Sequence, residues 1–408
     1  MTSRRRVVVT GLGVVSPVGN SVGDFWRALT SGRTGVGRAT GFDTTSLPTA
    51  IAAEIKDFDP CGVVDRRTAR ALDPAALYLL AAGSEAVRTA RLDGSYGSER
   101  KAVVVGFDLA QVTAARVAAS YQRQGHLGVD SFTLYQTGPY SASAALARSV
   151  GATGSHDAIS AACASGAVAV LRAWQLLQLD AADVAIAGCC WALDALTLAS
   201  CAAARVASRN PDSARAMRPF DRLRDGFVPG EGAAVLVLED LEHAVRRGAP
   251  IEAELLGGRQ NTSLGASFTE NDAASAAACL RGALEASGVT PDDVDLVSAH
   301  ATSTQRGDRQ EAEALRLVFG ERRVPAFAAK SMLGHCLSAA AGLETIALLL
   351  AMREGVVPPT VNHEHPDPQC PVDCVPNESR AVDASVGVKN AFGFGGVNCC
   401  LVFRRLAA

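Results

Sequence analysis

The sequence is poor in lysine, has no long hydrophobic run, and has no cysteines at paired metal-binding spacing. Only four of its 39 basic residues are lysine, and the formal net charge is −3. This balance gives no bulk electrostatic reason to expect nucleic acid or an anionic membrane as a partner. The longest apolar run, near residues 346–352, is far shorter than the roughly 20 residues that span a bilayer. We therefore expect neither nucleic-acid binding nor a membrane span.

The first residues and the cysteines bear on the cellular compartment. Residues 1–6 run directly into a strand-like segment, without the apolar stretch that a secretory signal needs. The eleven cysteines show no paired zinc spacing, and Cys370 and Cys374 stand apart from the others. An odd number of cysteines without a secretory signal favours free thiols in a reducing compartment. We expect a cytoplasmic protein without a metal site.

The length and the hydrophobic pattern indicate the fold class. A chain of 408 residues is too long for one ordinary core, and it suggests two domains or two halves that share an interface. Short apolar strands alternate with helix-prone segments, the strongest of which covers residues 68–92. The strands are expected at residues 7–10, 102–106, 184–188, 233–238, 294–299, 324–328 and 399–403. This alternation is typical of α/β layers around a mostly buried sheet.

The stretch around Cys163 combines a short apolar segment, a turn of small residues and a helix. Residues 157–162 lead into the turn, and a helix-prone run over residues 167–179 begins just beyond it. A cysteine at a helix N-terminus faces the positive end of the helix dipole, which lowers the pKa of the thiol and favours the nucleophilic thiolate. A buried apolar thiol is the alternative for Cys163, and two histidine stretches downstream argue against it.

The first of these stretches follows a predicted strand. His300 leaves the strand end and enters a hydroxyl-rich turn that contains Thr302 and Thr304. Such a turn can hold the imidazole in one orientation with its ring open to a pocket. A single histidine is more often structural, so this motif gains weight only together with the second one.

The second stretch places His335 five residues after Lys330. Glu344 follows within a helix of alanine and leucine, where a carboxylate needs a partner, and Lys330 is a candidate for that pairing. The glycine-rich segment at residues 390–396 suits a tight loop whose backbone N–H groups point at a substrate oxygen.

Together these segments resemble the β-ketoacyl-acyl-carrier-protein synthases of the elongating, type II-like kind, in the thiolase-like superfamily. The motifs lie in the family's order between residues 6 and 404. They are Thr10-Gly-Leu-Gly with Ser16-Pro17, Cys163-Ala-Ser-Gly, Arg218-Pro-Phe-Asp through Gly-Glu-Gly232, Ala299-His300-x-Thr-Ser-Thr, Lys330-Ser-Met-x-Gly-His335, and Gly393-Phe-Gly-Gly. Six motifs spread along the chain make a chance match implausible.

The resemblance implies an α/β fold and an obligate dimer. In that fold two duplicated βαβαβαββ halves are stacked as αβαβα layers. The N-terminal ketosynthase half, residues 1–250, would carry the nucleophile. The C-terminal half, residues 251–408, would carry both histidines.

The resemblance also implies a decarboxylative Claisen condensation. Cys163 would take an acyl group from an acyl-carrier protein, while its own N–H and that of Phe394 hold the oxyanion. His300 and His335 would then stabilise the enolate that forms as malonyl-carrier protein loses carbon dioxide. The product would be a 3-ketoacyl-carrier protein. Phe394 would in addition gate the acyl pocket.

Further residues receive supporting roles from the same resemblance. Lys330 and Glu344 would form a buried pair that orients His335, and Thr302 and Thr304 would hold the phosphopantetheine arm. No bound cofactor and no metal would be needed, because the substrates arrive on the carrier's phosphopantetheine. The family's carrier proteins are acidic, so a local arginine surface is expected where such a carrier docks. The candidate arginines are Arg66, Arg67, Arg70, Arg205 and Arg209.

Several positions depart from the family pattern. Ala301 replaces a glycine, Cys201 stands where a phenylalanine often lines the acyl pocket, and Asp108 and Gln111 lie in a region that is usually apolar and glycine-rich. We interpret these changes as the mark of a specialised type II polyketide or secondary lipid synthase. The retained Cys163 argues against a chain-length factor, and it leaves both a homodimer and a heterodimer with such a subunit open.

Three alternatives stay open on the sequence alone. The first is a thiolase-like acyltransferase that performs no condensation, and the second is a largely non-catalytic subunit that binds a carrier protein. The third is a nucleotide-dependent oxidoreductase built on Gly11-x-Gly13. Ser16 replaces the third glycine of the dinucleotide fingerprint, so a tight turn after the first strand is preferred there.

Overall fold

The computed structural model describes residues 5–92, 94–264 and 271–406. Their strands are β1 Val7–Val15, β2 Gly37–Arg38, β3 Ile51–Ala52, β4 Lys101–Gly106, β5 His156–Ile159, β6 Val184–Trp191, β7 Gly232–Asp240, β8 Ala253–Thr262, β9 Leu296–Ser298, β10 Ala326–Phe327, β11 Val356–Val357, β12 Arg380–Ala381, β13 Val386–Gly393 and β14 Val397–Arg404. Their α-helices are α1 Val22–Thr30, α2 Arg66–Arg70, α3 Pro74–Thr89, α4 Gln111–Gln124, α5 Thr133–Gln136, α6 Tyr140–Ser149, α7 Ser165–Gln178, α8 Ala195–Ala203, α9 Leu241–Arg246, α10 Ala273–Ala286, α11 Gln305–Phe319, α12 Lys330–Leu333 and α13 Ala340–Glu354.

Ten of these strands form a mixed sheet whose two ends repeat one topology. The order is β10-β9-β13-β14-β8-β1-β7-β6-β4-β5. When the strands of each half are numbered from their own start, both halves have the order 3-2-4-5-1. The halves join where β1 and β8 pair antiparallel, with Val7 opposite Leu255. The duplication is therefore visible in the strand order, although the sequence shows no obvious repeat.

Helices lie between and outside the two halves of the sheet. Both α7 and α13 are in the middle: α13 packs on β13 and β9 of the second half, on β7 of the first half, and on α7. The outer face of the first half is covered by α3, and that of the second by α10. Burial explains the composition of α13, in which every residue from Ala340 to Met352 is buried. The predicted division at residues 250 and 251 falls between α9 and β8.

The first strand differs from its prediction. Residues 7–10 do not end in a glycine turn, because β1 continues through Gly11 and Gly13 to Val15. Both glycines allow the backbone of α3 to approach the sheet: a Cβ on Gly13 would lie 1.8 Å from the carbonyl oxygen of Ala82. The Gly-x-Gly sequence thus serves helix–strand packing, and a glycine loop for a dinucleotide does not form there.

The helix predicted over residues 68–92 is two helices. The first, α2, ends at Arg70, and the second, α3, begins at Pro74. Asp73 caps α3 by accepting a hydrogen bond from the N–H of Ala75 at 3.0 Å. An Asp-Pro pair favours a new helix start, because the aspartate satisfies a free N–H and proline fits the first turn.

Candidate active site

The predicted nucleophile, Cys163, lies in a single 3-10 turn between β5 and α7. The preceding residue, Ala162, has a φ of +49°, a left-handed conformation that costs a non-glycine residue about 1–3 kcal/mol. Ser165 Oγ accepts a hydrogen bond from the N–H of Ala161 at 2.8 Å and lies 2.7 Å from the carbonyl oxygen of Ala162. These contacts fix the strained turn that carries the cysteine.

The thiol of Cys163 is protonated in the resting protein. Its pKa is raised to about 12, mainly by burial and next by the charge of Asp108, while the ammonium of Lys330 acts in the opposite direction. Asp108 accepts hydrogen bonds from Ser160 Oγ at 2.8 Å and Ser165 Oγ at 2.9 Å, beside the turn. The predicted lowering of the pKa is therefore wrong, because burial removes the thiolate from solvent and outweighs the groups that stabilise it.

His300 is held by both its backbone and its ring. Its N–H and that of Ala301 donate to the two carboxylate oxygens of Glu311, at 2.8 and 2.6 Å. Lys330 Nζ lies 3.3 Å from His300 Nδ1 and 2.6 Å from the His300 carbonyl oxygen. An ammonium group has only donors, so Nδ1 accepts and the ring proton resides on Nε2.

His335 reaches the same tautomer by a different route. The N–H of Leu337 donates to His335 Nδ1 at 3.3 Å, which leaves the ring proton on Nε2. The His300 and His335 rings stand nearly perpendicular, with centroids 5.7 Å apart, and Phe227 packs on His335 at 4.8 Å. Burial and the nearby lysine ammonium groups hold the pKa of each imidazole well below its usual range. Both rings are therefore neutral and present an N–H donor.

The predicted Lys330–Glu344 pair exists, but it acts on the other histidine. Lys330 Nζ lies 2.5 Å from Glu344 Oε1 and contacts His300, which corrects the expectation that the pair orients His335. The role drawn from the family resemblance thus named the wrong histidine as the partner of the pair. In the fold Lys330, the first residue of α12, contacts the loop that follows β9, so its side chain meets His300 instead.

A second buried lysine, Lys389, was missed by the sequence reasoning. It lies in β13, is fully buried, and its Nζ is 2.8 Å from Glu344 Oε2. Glu311, whose carboxylate holds the backbone of His300 and Ala301, is the other group that was overlooked. The scarcity of lysine was the available signal: a lysine within an apolar strand of this chain calls for a buried partner.

The predicted nucleophile and both predicted histidines face one cavity of about 360 Å³. Cys163, His300 and His335 line it, and so do Thr302 and Thr304, whose hydroxyl oxygens are 3.0 Å apart. Other lining residues are Arg205, Asp225, Phe227, Asn271, Asp272, Arg306, Gln310, Glu311, Phe392, Gly393 and Phe394. The structure thus brings the predicted nucleophile, both histidines and both threonines to one space.

Phe394 begins a tight turn at one wall of this cavity, and Phe394 itself is 39% exposed. The turn is possible because Gly395 and Gly396 have φ values of +79° and +81°. The preceding glycine, Gly393, lies directly against the nucleophile's turn: a Cβ there would be 2.6 Å from the Ala161 carbonyl oxygen. This close approach sets Phe394 beside Cys163.

The five candidate arginines are all exposed, and they are not equally close to the cavity. Arg205 lines it, and the N–H of Arg209 donates to Asp225, another lining residue, at 2.9 Å. Arg66, Arg67 and Arg70 lie on α2, and none of them is among the residues that line this cavity.

Two other features bear on the function. In the described ranges, no group of three or more His, Cys, Asp or Glu side chains is arranged to hold a metal ion. Among the same residues, no helix is long and apolar enough to cross a membrane.

Comparison with known proteins identifies the family. The family model described as "Beta-ketoacyl synthase, N-terminal domain" matches residues 4–244, and that for the C-terminal domain matches residues 253–364. The chain belongs to the β-ketoacyl synthase family. It is 37% identical to 3-oxoacyl-[acyl-carrier-protein] synthase 2 of Coxiella burnetii, over 99% of each protein. It is also 37% identical to the chloroplastic 3-oxoacyl-[acyl-carrier-protein] synthase I of Arabidopsis thaliana, over 98% of this chain and 86% of that protein.

Solved ketosynthase structures share the fold. The ishigamide ketosynthase/chain length factor superposes with a TM-score of 0.94 at 32% identity, over 99% of this chain and 100% of that one. A β-ketoacyl synthase from Burkholderia phymatum gives 0.94 at 33% identity, with the same coverage. These similarities confirm the predicted thiolase-like α/β fold of the ketosynthases.

Proposed function

We propose that this chain condenses an acyl group, held as a thioester on Cys163, with malonyl-acyl-carrier protein to give 3-ketoacyl-carrier protein. One observation carries the proposal: a strained turn presents the cysteine to a cavity that is also lined by two neutral histidines, each with its proton on Nε2. Membership of the β-ketoacyl synthase family supports the same reaction.

In the first half-reaction the sulfur of Cys163 attacks the carbonyl carbon of an acyl thioester. The new carbon–sulfur bond replaces the bond to the carrier's sulfur, and the carrier leaves as a thiol that takes up the cysteine's proton. The oxyanion of the tetrahedral intermediate would accept hydrogen bonds from the N–H groups of Cys163 and Phe394. Close packing of Gly393 on the nucleophile's turn supports this pairing of donors.

In the second half-reaction the malonyl-phosphopantetheine arm of the carrier protein enters the cavity. His300 and His335 donate from Nε2 to its thioester oxygen and stabilise the enolate that forms as the carboxylate leaves as carbon dioxide. The enolate carbon attacks the carbonyl carbon of the acyl group, the bond to Cys163 breaks, and the departing thiolate takes up a proton from solvent to return to the thiol. Neutral imidazoles suit this step, because it needs hydrogen-bond donors and no strong base.

The surrounding residues position these groups. Lys330 and Glu344 would hold the His300 ring, and Glu311 its backbone. Thr302 and Thr304 would bind the phosphopantetheine arm, because both line the cavity. We also propose residues 1–250 and 251–408 as the two ketosynthase halves.

We assign an acidic acyl-carrier protein as the partner. It would dock on the exposed arginines, of which Arg205 is the one that lines the cavity. One similar solved structure is a type II polyketide acyl-carrier protein in complex with its ketosynthase, at a TM-score of 0.90 and 31% identity. We expect a dimer of like chains or a heterodimer with a subunit resembling a chain-length factor, acting in the cytoplasm.

We infer a specialised polyketide or secondary lipid pathway from the polar residues near the nucleophile. Asp108 bonds two serines beside the turn, and Gln111 Nε2 donates to Asp194 at 2.9 Å. An acyl-length preference identical to that of a housekeeping fatty acid synthase would refute this inference.

The test is intact-protein mass spectrometry with a panel of acyl-carrier thioesters, followed by addition of malonyl-carrier protein. Wild-type protein should gain the acyl mass and lose it to a product two carbons longer, whereas Cys163→Ala should not load. Cys61→Ala removes an exposed free thiol and is the matched control, which should load normally. Loading without extension would favour a simple acyltransferase, and no loading by any thioester would favour a non-catalytic carrier-binding subunit.

A further inference from the structure

Two of the chain's four lysines converge on one buried carboxylate. Lys330 Nζ lies 2.5 Å from Glu344 Oε1, and Lys389 Nζ lies 2.8 Å from Glu344 Oε2. The side chains of all three residues are at most 1% exposed. Each oxygen of Glu344 thus lies at ion-pair distance from its own lysine, although Oε2 makes no hydrogen bond of good geometry.

Lys389 also contacts the backbone that leads to His300. Its Nζ donates to the carbonyl oxygen of Asn390 and lies 3.5 Å from those of Ser298 and Ala299. Ser298 ends β9, and His300 comes two residues later, so the ammonium group sits beside the segment that delivers the histidine to the cavity.

Stability alone does not account for this lysine. Lys330, Lys389, Glu344 and Glu311 form a cluster of four buried charged groups, and each of them adds the cost of removing an ion from water. Lys389 occupies a central position in β13, opposite Leu401 of β14 and Ser298 of β9, where an apolar side chain would pack without that cost. Buried ion clusters that are costly to assemble are concentrated at functional sites.

We propose that Lys389 is a positioning residue for the decarboxylation half-reaction: it fixes Glu344 so that Lys330 holds the His300 ring, and it adds positive charge beneath both histidines. This proposal rests on the proposed function and assigns Lys389 no contact with substrate. The chain of contacts runs from Lys389 through Glu344 and Lys330 to His300.

The electrostatic consequence concerns the protonation of His300. The charged and titratable groups around it are Lys330, Lys389, His335, Glu311 and Glu344. Burial lowers the pKa of His300 most, and Lys330, His335 and Lys389 lower it further. Removing the Lys389 charge should therefore make the imidazole easier to protonate, and an imidazolium would lose its contact with the Lys330 ammonium.

The experiment compares wild type with Lys389→Met, which keeps an unbranched side chain and removes the charge. The pKa of His300 is measured by NMR of ¹³C-histidine-labelled protein, with His300→Ala for assignment. We expect the His300 pKa to rise by about one unit in Lys389→Met. Carbon dioxide release from malonyl-carrier protein should slow by about tenfold. In the pH–rate profile of this release, the fall in rate at acidic pH should begin at a higher pH than in wild type. Loading of Cys163 should stay within about twofold of wild type.

Lys101→Met is the matched control, because Lys101 lies at the start of β4 and its Nζ contacts only the Val150 carbonyl among the polar contacts of the described residues. Lys389→Arg keeps the charge, and it should leave the His300 pKa at its wild-type value even if Lys389→Met does not fold. An unchanged His300 pKa in folded Lys389→Met, or a raised one in Lys389→Arg, would overturn the proposal. If Lys389→Met shifts the pKa but wild type releases no carbon dioxide, the proposed function fails and the role of Lys389 in setting the His300 pKa stands.

Discussion

Replacing Asp108 by asparagine should make Cys163 more reactive. The carboxyl group bonds Ser160 and Ser165 beside the nucleophile's turn, and its charge raises the pKa of the Cys163 thiol. Asparagine keeps the shape and can accept the same hydrogen bonds, so the change removes mainly the charge. A like charge this close to a buried group shifts its pKa by on the order of one unit, which corresponds to about 1.4 kcal/mol.

The expected gain in rate is smaller than the gain in thiolate. One unit gives about ten times more thiolate at neutral pH, but the nucleophilicity of each thiolate falls about threefold as its pKa falls. The assay is alkylation of Cys163 by iodoacetamide, followed by intact-protein mass spectrometry at several pH values. The alkylation rate of Asp108→Asn at neutral pH should be about threefold higher than that of wild type.

Asp157→Asn is the control for this measurement, since Asp157 lies on β5 and pairs with Arg172 at 3.3 Å. It should leave the rate unchanged, and Cys163→Ala supplies the background from the other thiols. An alkylation rate in Asp108→Asn that is equal to or below that of wild type would refute the electrostatic account of the thiol's pKa.

Three further predictions concern the same cavity. Lys330→Met should slow carbon dioxide release by on the order of 100-fold while Cys163 still loads, measured by labelled carbon dioxide against acyl mass, because the His300 ring loses its anchor. Gly393→Ala should destabilise the protein by about 1–3 kcal/mol in urea unfolding, because the new Cβ would lie 2.6 Å from a carbonyl oxygen. Carbon dioxide release should show no acidic limb at pH 6.5, because the pKa values of His300 and His335 lie well below that value. A rate of carbon dioxide release that falls to half its maximum near pH 6.5 would contradict the conclusion that both histidines act as neutral hydrogen-bond donors.

The sequence predicted the alternation of strands and helices, because this alternation depends on local patterns. It also predicted several residues that line the cavity, among them Cys163, His300 and His335, from motifs that together resemble a known family. Apolar runs predicted β4, β6 and β7, and the small residues around Cys163 predicted the turn between strand and helix. The duplication was expected from the family resemblance alone, because two halves can share a topology after their sequences have diverged beyond recognition as a repeat. The break between α2 and α3 was readable in principle from Asp73-Pro74.

Three features of the site depended on tertiary packing. The pKa of Cys163 follows from burial, which no local sequence pattern specifies. The contact of Lys330 with His300 depends on how α12 packs against the loop that follows β9. The pairing of Lys389 with Glu344 joins a strand to a helix 45 positions earlier, so only the packing of β13 on α13 reveals it.

The most direct test of the central claim is the number of carbon dioxide molecules released per acyl-enzyme consumed. Protein preloaded on Cys163 is mixed with malonyl-carrier protein labelled in its free carboxylate, and labelled gas and product are counted together. Wild type should release one molecule for each 3-ketoacyl product, and a variant with both His300→Ala and His335→Ala should load normally but release none above background. Condensation at the wild-type rate in that double variant, or product formation at the wild-type rate by Cys163→Ala, would contradict the account.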